Sequence, residues 1–356
     1  MDGLHYVPIK TRSLEPLADV YDADEIQKVR RASANLAERL RGGIIWNVNS
    51  TAKGGGVAEL LTSLIAYARG AGIDSRWAVI TGEPEFFRLT KRLHNALHGV
   101  PGDDWFLHPQ SRELYERVCR RNGSELLGEL REGDVVILHD PQTLGLAPVL
   151  KHQGVRVFWR CHIGSDSPNS HAEAAQHFLA PYLRDIERAI FTRAAYVPRD
   201  FPVPSHVLSP TIDPLSPKNQ PLSDLTARAI LVQTGLLDGP APHAAPEFHL
   251  PDGATSRVNR GTDVIRLGRA CETKTPMVLQ VSRWDRLKDH LGVLRGFARF
   301  AEEGGVANLV LAGPSVHAVA DDPEGAAVFD EVLAAYRALP HGIRSRVELA
   351  NLPMAD

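Results

Sequence analysis

The sequence predicts an α/β protein made of two doubly wound halves. Three observations carry this reading. A short apolar run leads into a helical repeat through a glycine cluster at 43–66, strand-like and helix-like stretches then alternate to about residue 207, and the same alternation restarts at Met277. Within GIIWNVNSTAKGGGVAELLTSLIA, Ile44, Ile45, Trp46 and Val48 have the character of a buried parallel strand, and Leu60, Leu61, Leu64 and Ile65 recur at helical spacing. Gly54, Gly55 and Gly56 stand at the joint. Without Cβ atoms there, a ligand can approach the backbone closely, and the unpaired amides at the start of the following helix suit a phosphate or a sugar hydroxyl. An ordinary strand-to-helix turn explains the same glycines.

The remaining elements follow in order. Two prolines and little periodicity make residues 1–22 an irregular arm or edge strand. Ile26, Val29, Leu36 and Leu40 mark a helix over 23–41, which Gly42 and Gly43 stop. A strand at 77–80 and a helix at 84–97, with Phe86, Phe87, Leu93 and Leu97 facing a core, continue the βαβ pattern. A helix at 111–130 precedes a strand at 134–138 that runs into His139, Asp140, Pro141 and Gln142. The next strand, 155–159, leads into Arg160, Cys161, His162 and a Gly164, Ser165, Asp166 loop. Polar groups thus crowd the carboxyl ends of buried strands, where ligands of open α/β sheets bind. A helix at 171–188 and short strands near Ile190 and Val207 close the first half, and a proline-rich stretch resembles an interdomain crossing. No structure is assigned to 231–262. In the second half, strands at 277–281, 308–311 and 347–349 alternate with helices at 289–303 and 324–338. The expected organisation is an N-terminal arm and helix (1–40), a Rossmann-like domain (41–205), an interdomain and irregular segment (206–276) and a partial Rossmann-like domain (277–356). At about 30 residues per βαβ unit, only three strands fit after Met277, so the second domain reads as incomplete.

Composition narrows the function classes. The 356 residues suit two buried cores, and a formal charge of −3 gives no reason to expect nucleic acid or an anionic membrane as partner. Three scattered cysteines, Cys119, Cys161 and Cys271, form no CxxC pair, which fits a reduced cytoplasmic protein. Neither a signal peptide nor a membrane-length apolar run is evident. The 15 histidines show no metal-ligand spacing, so no metal is expected. GxSxG, Walker, GxGxxG and HExxH motifs are absent.

Arg283 and Lys288 lie past the strand at 277–281, where a helix begins. A guanidinium fork and an ammonium at that place can grip a diphosphate, and cations at a helix start oppose its dipole unless an anion compensates. A solvated basic patch is the plainer alternative. His162 can bond a sugar hydroxyl or serve as a satisfied structural histidine, and Asp140 can orient a hydroxyl or cap a turn.

Taken together, NSTAKGGGVAELL, FFRLTKRLHNALHG, HDPQTLGL, FWRCHIGSDSPN, SPTIDPLSPKN and LQVSRWDRLKD resemble the retaining glycosyltransferases of the GT-B type, family 4, and most closely the trehalose synthases. The related trehalose phosphorylases share much of the pattern. The resemblance implies two Rossmann-like domains facing a cleft, and glucosyl transfer from an NDP-glucose such as UDP-glucose or ADP-glucose to glucose. Substrates are then small molecules, no cofactor is needed, and a homodimer is a candidate assembly. It implies that Gly54, Gly55 and Gly56 lie under the donor diphosphate and the acceptor, with Lys53 where glycogen synthases carry a lysine. It implies that His162 contacts the donor sugar, that Arg283 and Lys288 neutralise the donor phosphates in place of a metal, and that His139, Asp140, Gln142 and Asn169 lie on the acceptor side. Gly164 stands where some relatives have Asp. The family's two-glutamate motif in the later half of its second domain is not found before Asp356. A truncated chain is therefore expected, and a sugar-binding or subunit-pairing fragment without catalysis is the alternative.

Overall fold

The structure is a computed structural model and describes residues 3–53, 55–102, 105–151, 154–240, 242–250, 254–259, 261–272, 274–315 and 324–353. The chain divides into two compact units, Met1–Asp213 and Pro214–Asp356.

Unit 1 runs β1 (His5–Tyr6), α1 (Ala23–Leu40), β2 (Ile45–Asn49), α2 (Gly56–Gly70), β3 (Ser75–Val79), α3 (Pro84–Leu97), α4 (Pro109–Leu127), β4 (Val135–His139), α5 (Asp140–Thr143), α6 (Ala147–Leu150), β5 (Arg156–Cys161), α7 (Ser170–Leu183), β6 (Arg188–Phe191) and β7 (Ser205–Val207). The strands form one sheet in the order β1-β3-β2-β4-β5-β6-β7, parallel throughout except for β1. The arm that the sequence left between irregular chain and edge strand is therefore both, since only two residues pair with β3. Asp22 starts α1 by accepting from Glu25 N at 2.8 Å, and Arg41 ends it in the left-handed region.

Both faces of the sheet are covered. Leu61 and Ile65 of α2 pack against Trp77 and Val79 on one side. On the other, Phe86, Leu89, Leu93, Tyr115 and Phe178 close over Trp46, Val48, Val136 and Leu138. Burial on two faces explains why these strands read as continuous apolar runs. The chain order reverses between β2 and β4, so the carboxyl ends of these strands border the switch point where open α/β sheets take ligands. Helix α7 ends at Leu183, five residues short of the sequence expectation. Pro181 inside it lacks the amide that would bond back to the preceding turn, and the chain turns toward β6 soon after.

Unit 2 contains α8 (Asp224–Gln233), β8 (Glu247–His249), β9 (Thr255–Arg257), β10 (Asp263–Ile265), β11 (Met277–Val281), α9 (His290–Glu302), β12 (Asn308–Pro314), α10 (Gly325–Ala338), α11 (His341–Arg344) and β13 (Val347–Leu352). β8 and β9 form an antiparallel ribbon. The larger sheet has the order β10-β13-β12-β11, with the last three parallel and β10 antiparallel. The three strands expected after Met277 are present, and β10 joins them from a stretch too short to carry a period. Trp284, Leu294, Phe297, Leu311, Val332 and Leu349 are among the residues that fill its core.

A buried carboxylate fixes how β2 meets β4. Asp134, 1% exposed, accepts from Ile44 N at 2.8 Å, Arg131 N at 3.0 Å and the indole of Trp46 at 3.2 Å. Replacing it with alanine strands three donors in a dry site. Asp134→Ala is expected to lower the stability of the chain by about 3 kcal/mol, read as an earlier midpoint in urea denaturation followed by tryptophan fluorescence.

Candidate active site

Three strand ends stand side by side, since Val48 pairs with Leu138 and His139 with Arg160. Each carries a group that the sequence singled out.

The loop after β2 is braced by its own side chains. Asn49 accepts from the Trp77 indole at 2.7 Å and donates to Thr51 O at 2.7 Å, while the Thr51 hydroxyl donates to Lys53 O at 2.7 Å. Lys53 is exposed, and Gly54 lies outside the described residues. Gly55 precedes α2 with an ordinary extended backbone (φ −140°), and no side chain caps the helix. A Cβ on Gly55 would meet only Thr51 Cγ2, at 3.9 Å, and one on Gly56 would meet nothing within 4 Å. Neither backbone strain nor packing asks for glycine at these two positions. The space and the first amides of α2 are open to a ligand.

After β4, Asp140 takes a left-handed backbone (φ 62°), unusual for a residue with a side chain. That turn brings its Oδ1 to His162 N, which donates to it at 2.8 Å, and its carbonyl accepts from the Trp159 indole at 3.0 Å. His139 and His162 share a hydrogen bond of 2.9 Å between Nδ1 and Nε2, with ring planes 12° apart, and His139 Nε2 lies 3.1 Å from Asn47 Oδ1. His139 is 1% exposed and both its ring nitrogens are engaged, so its place is beneath the site and not at its surface. Burial, with the nearby Arg160 cation, pushes His162 down to about 3, and burial holds His139 well below its ordinary value. Burial raises the Asp140 carboxyl to about 7, against the pull of the His162 amide and Arg160. Gln142 has a side-chain oxygen closed off from solvent and without a partner among the described residues.

Asn169 is committed to the fold. Its oxygen caps α7 by accepting from His171 N and Ala172 N, and its amide donates to Gly99 O at 2.9 Å. Gly164 faces the Tyr196 ring so closely that a Cβ would come within 2.4 Å of Cγ, which excludes the aspartate of some relatives unless Tyr196 moves. Beside this loop is a cavity of about 580 Å³ lined by Trp159, Cys161, Gly164, Gln176, Tyr196 and Phe201 among others.

In unit 2, Arg283 and Lys288 lie on the connection from β11 to α9, as the sequence placed them. Trp284 roots that connection in the core, and its indole donates to Pro314 O at 3.0 Å. Arg283 is steered by the buried Asp285 carboxylate at 3.3 Å, and the Lys288 side chain is exposed. Asp289, not a ligand, caps α9 by accepting from Gly292 N at 3.0 Å. The cations therefore stand just before the helix, with the Asp285 and Asp289 carboxylates beside them to offset the dipole.

Residues 47–198 match the family model described as "Trehalose synthase, N-terminal domain". That stretch is similar to the trehalose synthase N-terminal domain. The chain is 36% identical over 298 residues to a trehalose synthase of Rubrobacter xylanophilus, covering 82% of this chain and 60% of that protein. It is 33% identical over 323 residues to one of Pyrococcus horikoshii, covering 90% and 66%. A trehalose phosphorylase of Pleurotus sajor-caju is 27% identical over 338 residues, covering 86% and 42%. The chain thus spans 60 to 66% of the length of these two trehalose synthases. Among solved structures, the one described as "Trehalose-6-phosphate from E. coli bound with UDP-2-fluoro glucose" superposes with a TM-score of 0.57 at 13% identity, over 88% of this chain and 74% of that one. An α,α-trehalose-phosphate synthase (UDP-forming) from Burkholderia vietnamiensis gives 0.56 at 12%, over 87% and 73%. These likenesses show the fold, which is GT-B with two Rossmann-like units.

Within residues 47–198 the loop after β2, Asp140 and His162 come to one sheet edge, while Arg283 and Lys288 belong to the other unit. Sequence reading missed Asn47, which meets His139, and Ser75, which meets Asn47, and it named Arg160 only as part of a polar strand end, without the inward turn that leaves it 8% exposed. The alternation of Asn47 and Asn49 inside an apolar strand was the available signal, since a polar residue in a doubly covered strand needs a partner there.

The Asp140 carboxyl binds its proton more tightly folded than unfolded, so its contribution to stability is lost as pH rises from about 4 to about 7. His162 acts oppositely, its contribution being lost as pH falls from about 6.5 to about 3. Asp140→Asn isolates the first effect, because asparagine tolerates the left-handed backbone and its oxygen still accepts from His162 N. The variant is expected to match wild type below about pH 4 and to exceed it by about 2 kcal/mol at pH 8 in urea titrations.

Proposed function

We propose that the protein belongs to a retaining glucosyl transfer that forms α,α-trehalose from an NDP-glucose and glucose. The observation that supports this most is the meeting, within a stretch similar to the trehalose synthase N-terminal domain, of an open glycine loop and a half-buried neutral histidine at the switch point of the sheet. In this reading Gly54, Gly55 and Gly56 with Lys53 cradle the donor and acceptor, and His162 contacts the transferred sugar through its ring. Asp140 holds His162 in place through the backbone, and Gln142, on the acceptor side, meets an acceptor hydroxyl only once its enclosed oxygen is uncovered. In unit 2, Arg283 and Lys288 take the donor's diphosphate.

The chemistry asks for little more from side chains. As the bond from the anomeric carbon to phosphate breaks, negative charge grows on the leaving oxygen. Fixed cations and helix amides stabilise that charge more in the transition state than in the ground state. The phosphate leaves from the face that the glucose hydroxyl enters, and its departing oxygen takes the hydroxyl's proton as the new C–O bond forms, which keeps the anomeric configuration. Greater likeness to the trehalose synthases than to the phosphorylase favours a nucleotide sugar over glucose 1-phosphate as donor.

Incubation with UDP-glucose or ADP-glucose and glucose is expected to yield trehalose and the nucleoside diphosphate. Release of glucose 1-phosphate from trehalose and phosphate, without the first reaction, would replace this assignment with the phosphorylase. Lys288→Ala, at an exposed position, is expected to cut the transfer rate roughly a hundredfold while leaving the melting temperature in place. Gly55→Val is expected to fold as wild type and to lose transfer, because the branched side chain fills the space open at the start of α2. Wild-type rates in both variants would remove these residues from the donor site.

A further inference from the structure

Four side chains under the sheet edge form a line. His162 Nε2 lies 2.9 Å from His139 Nδ1, His139 Nε2 lies 3.1 Å from Asn47 Oδ1, Asn47 Nδ2 lies 3.2 Å from Ser75 Oγ, and Ser75 Oγ lies 3.3 Å from the Ile45 carbonyl. Asn47, Ser75 and His139 are 2%, 3% and 1% exposed, so water does not offer them alternative partners. In such a line each proton fixes the next.

The direction is set at the Ile45 end. A carbonyl oxygen only accepts, so the Ser75 hydroxyl points its single proton there and presents a lone pair to Asn47. Asn47 then donates from Nδ2 to Ser75 and turns its oxygen to His139. That oxygen requires a proton on His139 Nε2, which leaves Nδ1 bare in a neutral ring, and the bare Nδ1 requires a proton on His162 Nε2. Reversing the line would have Ser75 donate to Asn47 and set its lone pairs against those of Ile45 O. We propose that Ser75, Asn47 and His139 are positioning residues that hold His162 in the Nε2–H tautomer, with Nδ1 kept as an acceptor for a substrate hydroxyl.

The depressed affinity of both imidazoles for a second proton, caused by burial with Arg160 close by, keeps each ring neutral near pH 7. His162 Nδ1 has no hydrogen bond among the described residues, and the residue is half-buried. A ring so fixed takes a hydroxyl proton and refuses a carbonyl or ether oxygen. This role in recognition rests on the proposed function, whereas the tautomer itself does not.

Two-bond ¹H–¹⁵N correlation spectra of the full chain labelled at histidine test the tautomer directly. His162→Asn and His139→Gln spectra supply the assignments. At pH 7 both rings are expected as the Nε2–H form. Ser75→Ala removes one oxygen three hydrogen bonds away from His162, lets the Asn47 amide turn either way, and is expected to populate the Nδ1–H form of His162 measurably. Asn47→Asp keeps an acceptor facing His139 and is expected to preserve the wild-type form. An Nδ1–H or cationic His162 in the wild type, or an unchanged His162 spectrum in Ser75→Ala, overturns the proposal. If the spectra are as expected, Ser75→Ala should also lower kcat for transfer severalfold. Unchanged transfer beside a shifted tautomer would leave the hydrogen-bond line standing and remove His162 from the reaction.

Discussion

The seam between β2 and β4 governs the rest of unit 1. It is the line along which the strand order reverses, and both of its ends are sealed by buried polar side chains. At the amino end the Asp134 carboxylate gathers two backbone amides and the Trp46 indole. At the carboxyl end Asn47 and His139 join the same two strands. Polar groups in so dry a place are costly when unpaired, so each end admits one register and no slip by a residue. The glycine loop, the Asp140 turn and the β5 end then fall where they do because the strands beneath them cannot slide.

The same economy shapes the histidines. His139 is placed by the strand period on the inward side of a covered sheet, where a charged ring would be poorly solvated. The structure answers by giving both its nitrogens neutral partners. His162, one strand over, is kept neutral by its own burial and by the nearby Arg160 cation. The sheet edge therefore presents an uncharged imidazole, while positive charge enters at Arg160 and, in the other unit, at Arg283 and Lys288.

Much of this was legible in the sequence. Apolar runs such as IIWNV and VVIL and the helical spacing in PEFFRLTKRLHNAL gave their elements to within a residue or two, because two-sided burial and an amphipathic face leave strong periods. The positions of His139, His162 and Arg283 at strand ends were also readable, as each comes within three residues of an apolar run, with Lys288 on the connection that follows. What escaped was whatever depends on neighbours far along the chain. Nothing in Asn169 itself says that it will cap α7 and reach Gly99, and nothing in His139 says that it will turn inward. β10 escaped because three residues hold no period, and its strand identity comes wholly from pairing with β13. Ser75 lay beyond reach for the same reason, since its role exists only once β3 lies beside β2.

The Asp213 carboxylate, 5% exposed at its side chain, receives Arg12 at 2.7 Å, the Ser63 hydroxyl at 2.9 Å and the Tyr67 hydroxyl at 3.1 Å. Arg12 belongs to the opening arm, Asp213 is the last residue of unit 1, and the two hydroxyls are on α2 between them. The beginning and the finish of the unit are thus knotted at one point on one helix. A gene rearranged so that a short bridge joins these two ends, with new termini cut into an exposed loop elsewhere, would encode the same packed sheet. In this unit the order in which the ribosome delivers the strands is separable from the arrangement they finally take.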